Sequence, residues 1–249
     1  IEASDPYSDS GWVEIYKQKR VAADEYVPEV GAKFELKEAD GHVVETLTIG
    51  KDGKAKTSEK VALGAYILHQ VAGENGCTKQ QDKHDWIEDQ DIVITKDNKN
   101  KTVSYSYDDN EKPIEVELVK QSSETKKLLN GAVYKVYDSE KNQVATLTTG
   151  TTSDGKASCR LPYGTYTIKE TTAPDGYNLD TEQRTFTLSE KSDSIKIKYD
   201  NAGNGKATLN ETDTPVMGSI SLQKKGEYLT GHDGDVGFTY EDDNINGAV

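Results

Sequence analysis

The sequence predicts an all-β chain made of tandem antiparallel β-sandwiches, and three observations carry that prediction. Apolar and polar residues alternate in short runs such as Thr165-Tyr166-Thr167-Ile168-Lys169 and Thr185-Phe186-Thr187-Leu188, the period of half-buried strands. Asp-Gly, Pro-Asp-Gly and Lys-Asn turns separate the runs. Finally, "GAKFELKEADGHVVETLTIG" from Gly31 and "GAVYKVYDSEKNQVATLTTG" from Gly131 match at a constant offset of one hundred, the mark of a repeated structural unit.

The repeat orders the remaining elements. "DGKA" recurs at Asp52 and Asp154, and "GAYILHQ" from Gly64 answers "GTYTIKE" from Gly164. Upstream of each copy lies a strand ending in lysine: "WVEIYK" to Lys17 and "IEVELVK" to Lys120. A third, "SISLQK" to Lys224, announces another copy, whose "NGAV" at Asn246 repeats the one at Asn130. The expected domains are therefore residues 1–112, residues 113–215, and the opening strands of a truncated third module over 216–249. Only "SEKVALGAYILHQ" hints at helical spacing, and Gly64 together with the repeat equivalence favours a strand. A chain without an initial Met that stops inside a module reads as an internal fragment.

Composition narrows the function. Val, Ile, Leu and Phe make up only 48 of 249 residues, near the level at which charged chains stay disordered. The 14 Tyr and the strand alternation argue instead for folded modules with thin cores. A net charge of -14, with no Lys/Arg cluster, repels phosphate backbones and anionic membranes. Cys77 and Cys159 fall in different modules, suit neither a metal site nor a disulfide framework, and read as core or strand residues. No apolar run approaches transmembrane length, and Ile1-Glu2-Ala3-Ser4-Asp5 lacks the regions of a signal peptide.

Several signals are weaker. Residues 200–211, "DNAGNGKATLNE", imitate a calcium loop, but Ala202 occupies a ligand position and a hairpin turn is the expectation. His84 and Trp86 belong to a stretch, "KQQDKHDWIEDQD", that the first module has and the second lacks, which makes them the candidate ligand-contacting residues. No phosphate loop, Cys-x-x-Cys pair or nucleophile elbow occurs, so no cofactor and no turnover enzyme are expected.

"VELVKQSSETKKLLNGAVYKVYD" and "LPYGTYTIKETTAPDGY" resemble the Cna B-type or SpaA-type prealbumin-like modules of Gram-positive surface proteins and pilins, the second segment resembling that family's E-box. The likeness covers the second module almost completely, the first more loosely, and implies immunoglobulin-like or prealbumin-like sandwiches. It also implies an intramolecular isopeptide bond between a first-strand lysine and a last-strand Asn or Asp, assisted by the E-box glutamate. Such chemistry needs an uncharged amine and a protonated carboxyl, both favoured by burial.

On this resemblance Lys120 is the nucleophile, Glu170 the proton shuttle and Asp213 the acceptor, with Asn210 as the alternative. Asn210 lies an odd number of residues from Asp213, so a strand points it to the other face. The first module has Gln70 at the E-box position, and a glutamine cannot exchange a proton. Lys17 with Asp109 or Asn110 is a weaker crosslink candidate, and an uncrosslinked module or a plain Lys17–Asp109 salt bridge is expected there. The resemblance implies a stalk or backbone segment of an extracellular, cell-wall-anchored adhesin or pilin-like protein, its partners being further modules of the same polypeptide. The alternative is a module that binds a host protein or glycan through the loop around Trp86.

Overall fold

The computed structural model describes residues 9–234 and 237–244; the opening segment Ile1–Asp5 and the "NGAV" at Asn246 lie outside them. The chain divides into two units, Ile1–Pro215 and Val216–Val249, and the larger one contains both copies of the repeat.

The first copy is built from β1 (Ser10–Ala22), β2 (Glu25–Pro28), β3 (Lys33–Lys37), β4 (Val43–Thr48), β5 (Lys54–Lys56), β6 (Val61–Ala62), β7 (Gly64–Ala72), β8 (Gln90–Ile94) and β9 (Thr102–Asp109). The second comprises β10 (Ile114–Ser122), β11 (Val133–Tyr137), β12 (Gln143–Thr148), β13 (Lys156–Leu161), β14 (Gly164–Thr172), β15 (Gln183–Leu188), β16 (Lys198–Tyr199) and β17 (Gly205–Asp213). Each module is two sheets: β2, β5, β6 and β9 around β1, with β4-β3-β7-β8; then β13-β10-β17-β16, with β12-β11-β14-β15. The residues that alternate inward fill the space between them: Val13, Ile15, Phe34, Leu36, Leu68 and Ile92 in the first, and Val116, Leu118, Tyr134, Ile168 and Phe186 in the second. The "SEKVALGAYILHQ" segment is β6 and β7, as the repeat requires.

Three features depart from the sequence reading. The lysine strands do not stop at lysine: β1 continues to Ala22 and β10 to Ser122. The sandwiches are not wholly antiparallel, because β1 pairs parallel with β9 and β10 parallel with β17. Parallel neighbours need a long crossover, and here the rest of the module supplies it. Lastly, Ser219–Lys224 forms no strand; in its unit β18 (Lys225–Asp233) and β19 (Gly237–Asn244) pair with each other. A strand needs a neighbouring edge to satisfy its backbone, and "SISLQK" joins no sheet among the described residues, with Ile220 98% and Leu222 90% exposed.

Residues 200–204 form the β16–β17 turn, with Asp200 Oδ1 accepting from the amides of Ala202 and Asn204. Cys159 lies on β13 against the core, whereas Cys77 sits in the β7–β8 loop rather than in a strand. Burial pushes both thiols up to about 11. Since the thiolate is the reactive form, both cysteines should alkylate at pH 7 far more slowly than a free thiol, measured by timed iodoacetamide labelling.

Candidate crosslinking site

In the second module β10 carries Val116, Leu118 and Lys120 into the core along one face. In the parallel β10–β17 ladder Lys120 pairs with Glu211 and Ser122 with Asp213, so Asp213 sits two positions past the lysine on the same face. Asn210, paired with Val119, is exposed. From the opposite sheet β14 supplies Glu170, paired with Tyr134 of β11. The four side chains converge: Lys120 Nζ lies 2.5 Å from Asp213 Oδ1 and 3.1 Å from Glu170 Oε1, and donates to the Tyr134 hydroxyl at 2.5 Å.

The side chains of Lys120, Glu170 and Asp213 are all shut off from solvent. Burial raises the Glu170 carboxyl above its ordinary range, against the Asp180 amide and Lys120, which pull it down. Burial likewise raises Tyr134, with the Glu170 charge adding to the rise. The pocket therefore holds an amine, a carboxyl within reach of it and a second carboxyl inclined to carry a proton. Those are the components of amide formation.

The first module repeats this geometry with one exchange. Lys17 is fully buried on β1, pairs with Tyr107, and has Asp109 two positions further along the parallel β9, so close that the two side chains form an ion pair. Asn110 is exposed and accepts a bond from the Tyr26 hydroxyl at 3.4 Å. Gln70 pairs with Phe34 as Glu170 pairs with Tyr134, but its amide does not reach the lysine. It accepts from the Ile87 amide at 2.9 Å, just as Glu170 accepts from Asp180 at 2.9 Å.

The carboxyl that does reach Lys17 belongs to Glu29, fully buried with Oε2 at 2.8 Å from Nζ. Sequence reasoning missed it. The available signal was the repeat offset: Glu29 stands opposite Leu129, a charge where the other copy is apolar. The backbone confirms the equivalence, since the amides of Glu29 and Leu129 donate to the carbonyls of Lys17 and Lys120 respectively. Asp109 is raised mainly by burial, with Glu29 adding and Lys17 opposing.

The two candidate ligand residues are placed differently. His84 is 1% exposed; its Nε2 lies 2.8 Å from the Arg20 carbonyl, and it bridges to Glu111 between the modules. Around it, Lys112 Nζ donates to the Asp82 carbonyl at 2.5 Å and Lys83 sits over the Tyr199 ring at 4.5 Å. Lys19 pairs with Glu190 at 3.0 Å, and the Glu190 amide donates to the Val21 carbonyl at 2.9 Å. An inserted loop looks solvent-facing in sequence, yet this one is folded into the joint between two modules. Trp86 is half-buried, lining an open depression with Gln70, Val71 and Ile87.

Residues 114–203 match the family model of the SpaA prealbumin-like fold domain. Among curated proteins none matches the chain. Similar solved structures include the Bacillus anthracis TIE protein, at 19% identity over 95% of this chain with a TM-score of 0.45; the chain spans 44% of that protein's length. The shaft pilin SpaA of Lactobacillus rhamnosus GG is similar at 17% identity over 85% of this chain and 100% of its own, with a TM-score of 0.33. GBS52, the minor pilin of Streptococcus agalactiae, is similar at 15% identity over 86% of this chain and 100% of its own, with a TM-score of 0.34.

Proposed function

We propose that this chain, whose second module is a SpaA-type prealbumin-like domain, is a tension-carrying segment of a pilin-like stalk on a Gram-positive cell surface. The reading includes a self-formed isopeptide bond from Lys120 to Asp213. The observation that carries it is the buried contact of Lys120 with Asp213 and Glu170, which joins the module's first strand to its last. Further modules of the same polypeptide are its immediate partners. No helix among the described residues is long and apolar enough to cross a membrane.

The reaction balances without a co-reactant. Lys120 passes a proton to a neighbouring carboxylate and becomes a free amine, and Asp213 reacts as the carboxylic acid. Nζ attacks Cγ; Glu170 takes the proton released from nitrogen and gives it to the departing oxygen. An amide forms, water leaves and Glu170 is restored. The event happens once per molecule, which is self-modification rather than turnover.

Mass spectrometry tests this directly. Digestion of the full chain should yield a branched peptide joining Lys120 to Asp213, lighter by about 18 Da than its two linear parts because water is the leaving group. Glu170→Gln, an isosteric change that cannot relay a proton, should return both peptides in linear form. Linear Lys120 and Asp213 peptides from the unaltered protein would remove the bond from the account.

A further inference from the structure

We infer that the Tyr134 hydroxyl takes part in the reaction of Lys120 with Asp213: its oxygen fixes the amine so that the lone pair of Nζ faces the Asp213 carboxyl carbon. The inference rests on the crosslink reading above and adds to it a residue other than the lysine, the acceptor and the E-box glutamate.

A neutral amine has two N–H bonds and one lone pair, and attack requires the lone pair to point at the carbon. Lys120 Nζ donates at 2.5 Å to the Tyr134 hydroxyl oxygen and at 2.5 Å to Asp213 Oδ1, with Glu170 Oε1 at 3.1 Å. When the proton in the contact with Asp213 crosses to the carboxylate, Asp213 becomes the acid. The lone pair left on nitrogen points along the same line. Two N–H bonds then remain to be held, and Glu170 Oε1 lacks a well-aligned hydrogen bond. The bond to Tyr134 is therefore the one that stops the amine from turning about Cε–Nζ.

A phenol suits this task. It accepts an N–H without carrying a charge, whereas a carboxylate in its place would favour the ammonium. The hydroxyl is kept protonated, since burial raises Tyr134 and the charges of Glu170, Glu211 and Asp213 add to the rise. Its own proton swings freely about the C–O bond, and Glu170 accepts it, a further contribution to the same rise. One hydroxyl thus ties the nucleophile to the proton carrier, because Tyr134 on β11 pairs directly with Glu170 on β14.

The first module provides a comparison within the same chain. At the offset of one hundred it has Phe34 for Tyr134, and Phe34 pairs with Gln70 as Tyr134 pairs with Glu170. Hydroxyl and carboxyl are exchanged together. Lys17 Nζ, which faces no such hydroxyl, has no well-aligned hydrogen bond although two carboxylates lie at ion-pair distance. The aromatic ring is common to both pockets. In the second it also lies 5.1 Å from Lys120 Nζ, a contact that phenylalanine keeps. Tyr134→Phe therefore removes one oxygen from a position where the other copy already accommodates a phenylalanine.

The test follows bond formation in the full chain after cell-free synthesis, read as the fraction of branched Lys120–Asp213 peptide at successive times. Tyr134→Phe should branch about 100-fold more slowly than the unaltered protein, the scale of a small misplacement of a reacting group. Meta-fluorotyrosine placed at 134 keeps the ring and weakens its oxygen as an acceptor, so its rate should fall between the two. Amides of β10 and β17 should stay as protected from hydrogen exchange in Tyr134→Phe as in Asp213→Ala, which lacks the acceptor.

Equal rates in the unaltered protein and Tyr134→Phe overturn the role of Tyr134 and leave the bond standing. A Lys120 peptide that stays linear in the unaltered protein overturns the bond, and the tyrosine's role falls with it. A fluorinated protein that branches at the unaltered rate assigns the slowing to packing, which also overturns the inference. If Tyr134→Phe loses the protection of β10 and β17, Tyr134 is a folding residue and its assignment falls.

Discussion

Asp213→Ala should lower the melting temperature of the second module by roughly 16–40 °C, given about 4–8 °C per kcal/mol for a domain of this size. The expected loss follows from loop closure: a bond from Lys120 to Asp213 removes about 4–5 kcal/mol of chain entropy from the unfolded state, on the scale established for disulfides of similar span. Lys120 would remain buried beside Glu170 at 3.1 Å, so the variant keeps a partner for the charge and reports mainly the missing bond. Under tension the contrast should be larger. Uncrosslinked, residues 120–213 can release about 320 Å of extended chain at ~3.4 Å per residue; crosslinked, that stretch is bypassed. Single-molecule pulling distinguishes the two, and a 320 Å release from the unaltered protein would refute the bond.

Gly203→Val should open the joint between the modules. Gly203 has φ +71, and a Cβ there would stand 2.2 Å from the Asp82 carbonyl oxygen and 2.7 Å from its carbon. Backbone cannot yield as a flexible side-chain tip can. The left-handed conformation alone costs a β-branched residue about 1–3 kcal/mol, and the collision adds to it. Hydrogen exchange in residues 82–85 should accelerate about tenfold or more, one factor of ten per ~1.4 kcal/mol. The Lys120–Asp213 branch should persist. Gly203→Asn separates the causes, because asparagine tolerates this φ yet presents the same Cβ to Asp82. Unchanged exchange in the asparagine variant would mean that contact with Asp82 does not hold the joint.

Strand identity was legible because alternation and repeat register agree, down to Gly31 opposite Gly131 and Gln70 opposite Glu170. Lys120, Glu170 and Asp213 could be named because a motif surrounds them and strand parity separates Asp213 from Asn210. Glu29 has no motif; its meaning depends on a fold that sets the segment before β3 against β1, as the Glu29 amide on the Lys17 carbonyl records. The burial of His84 was hidden for a related reason. Sequence shows that a loop is inserted, but not that a neighbouring module covers it. "SISLQK" shows the converse, since alternation specifies a strand's faces while its existence depends on a partner edge.

The adjacency of first and last strands also sets an order of events in time. Lys17 cannot meet Asp109, nor Lys120 meet Asp213, until the whole intervening module has been synthesised and its closing strand has docked, because each pair is separated by nearly the full length of its fold. Contacts so distant in sequence form late. Each module therefore remains an open chain, able to thread through a narrow passage, for as long as its last strand is undelivered. A covalent bond at such a pair would act as a timer that starts only when the module is complete.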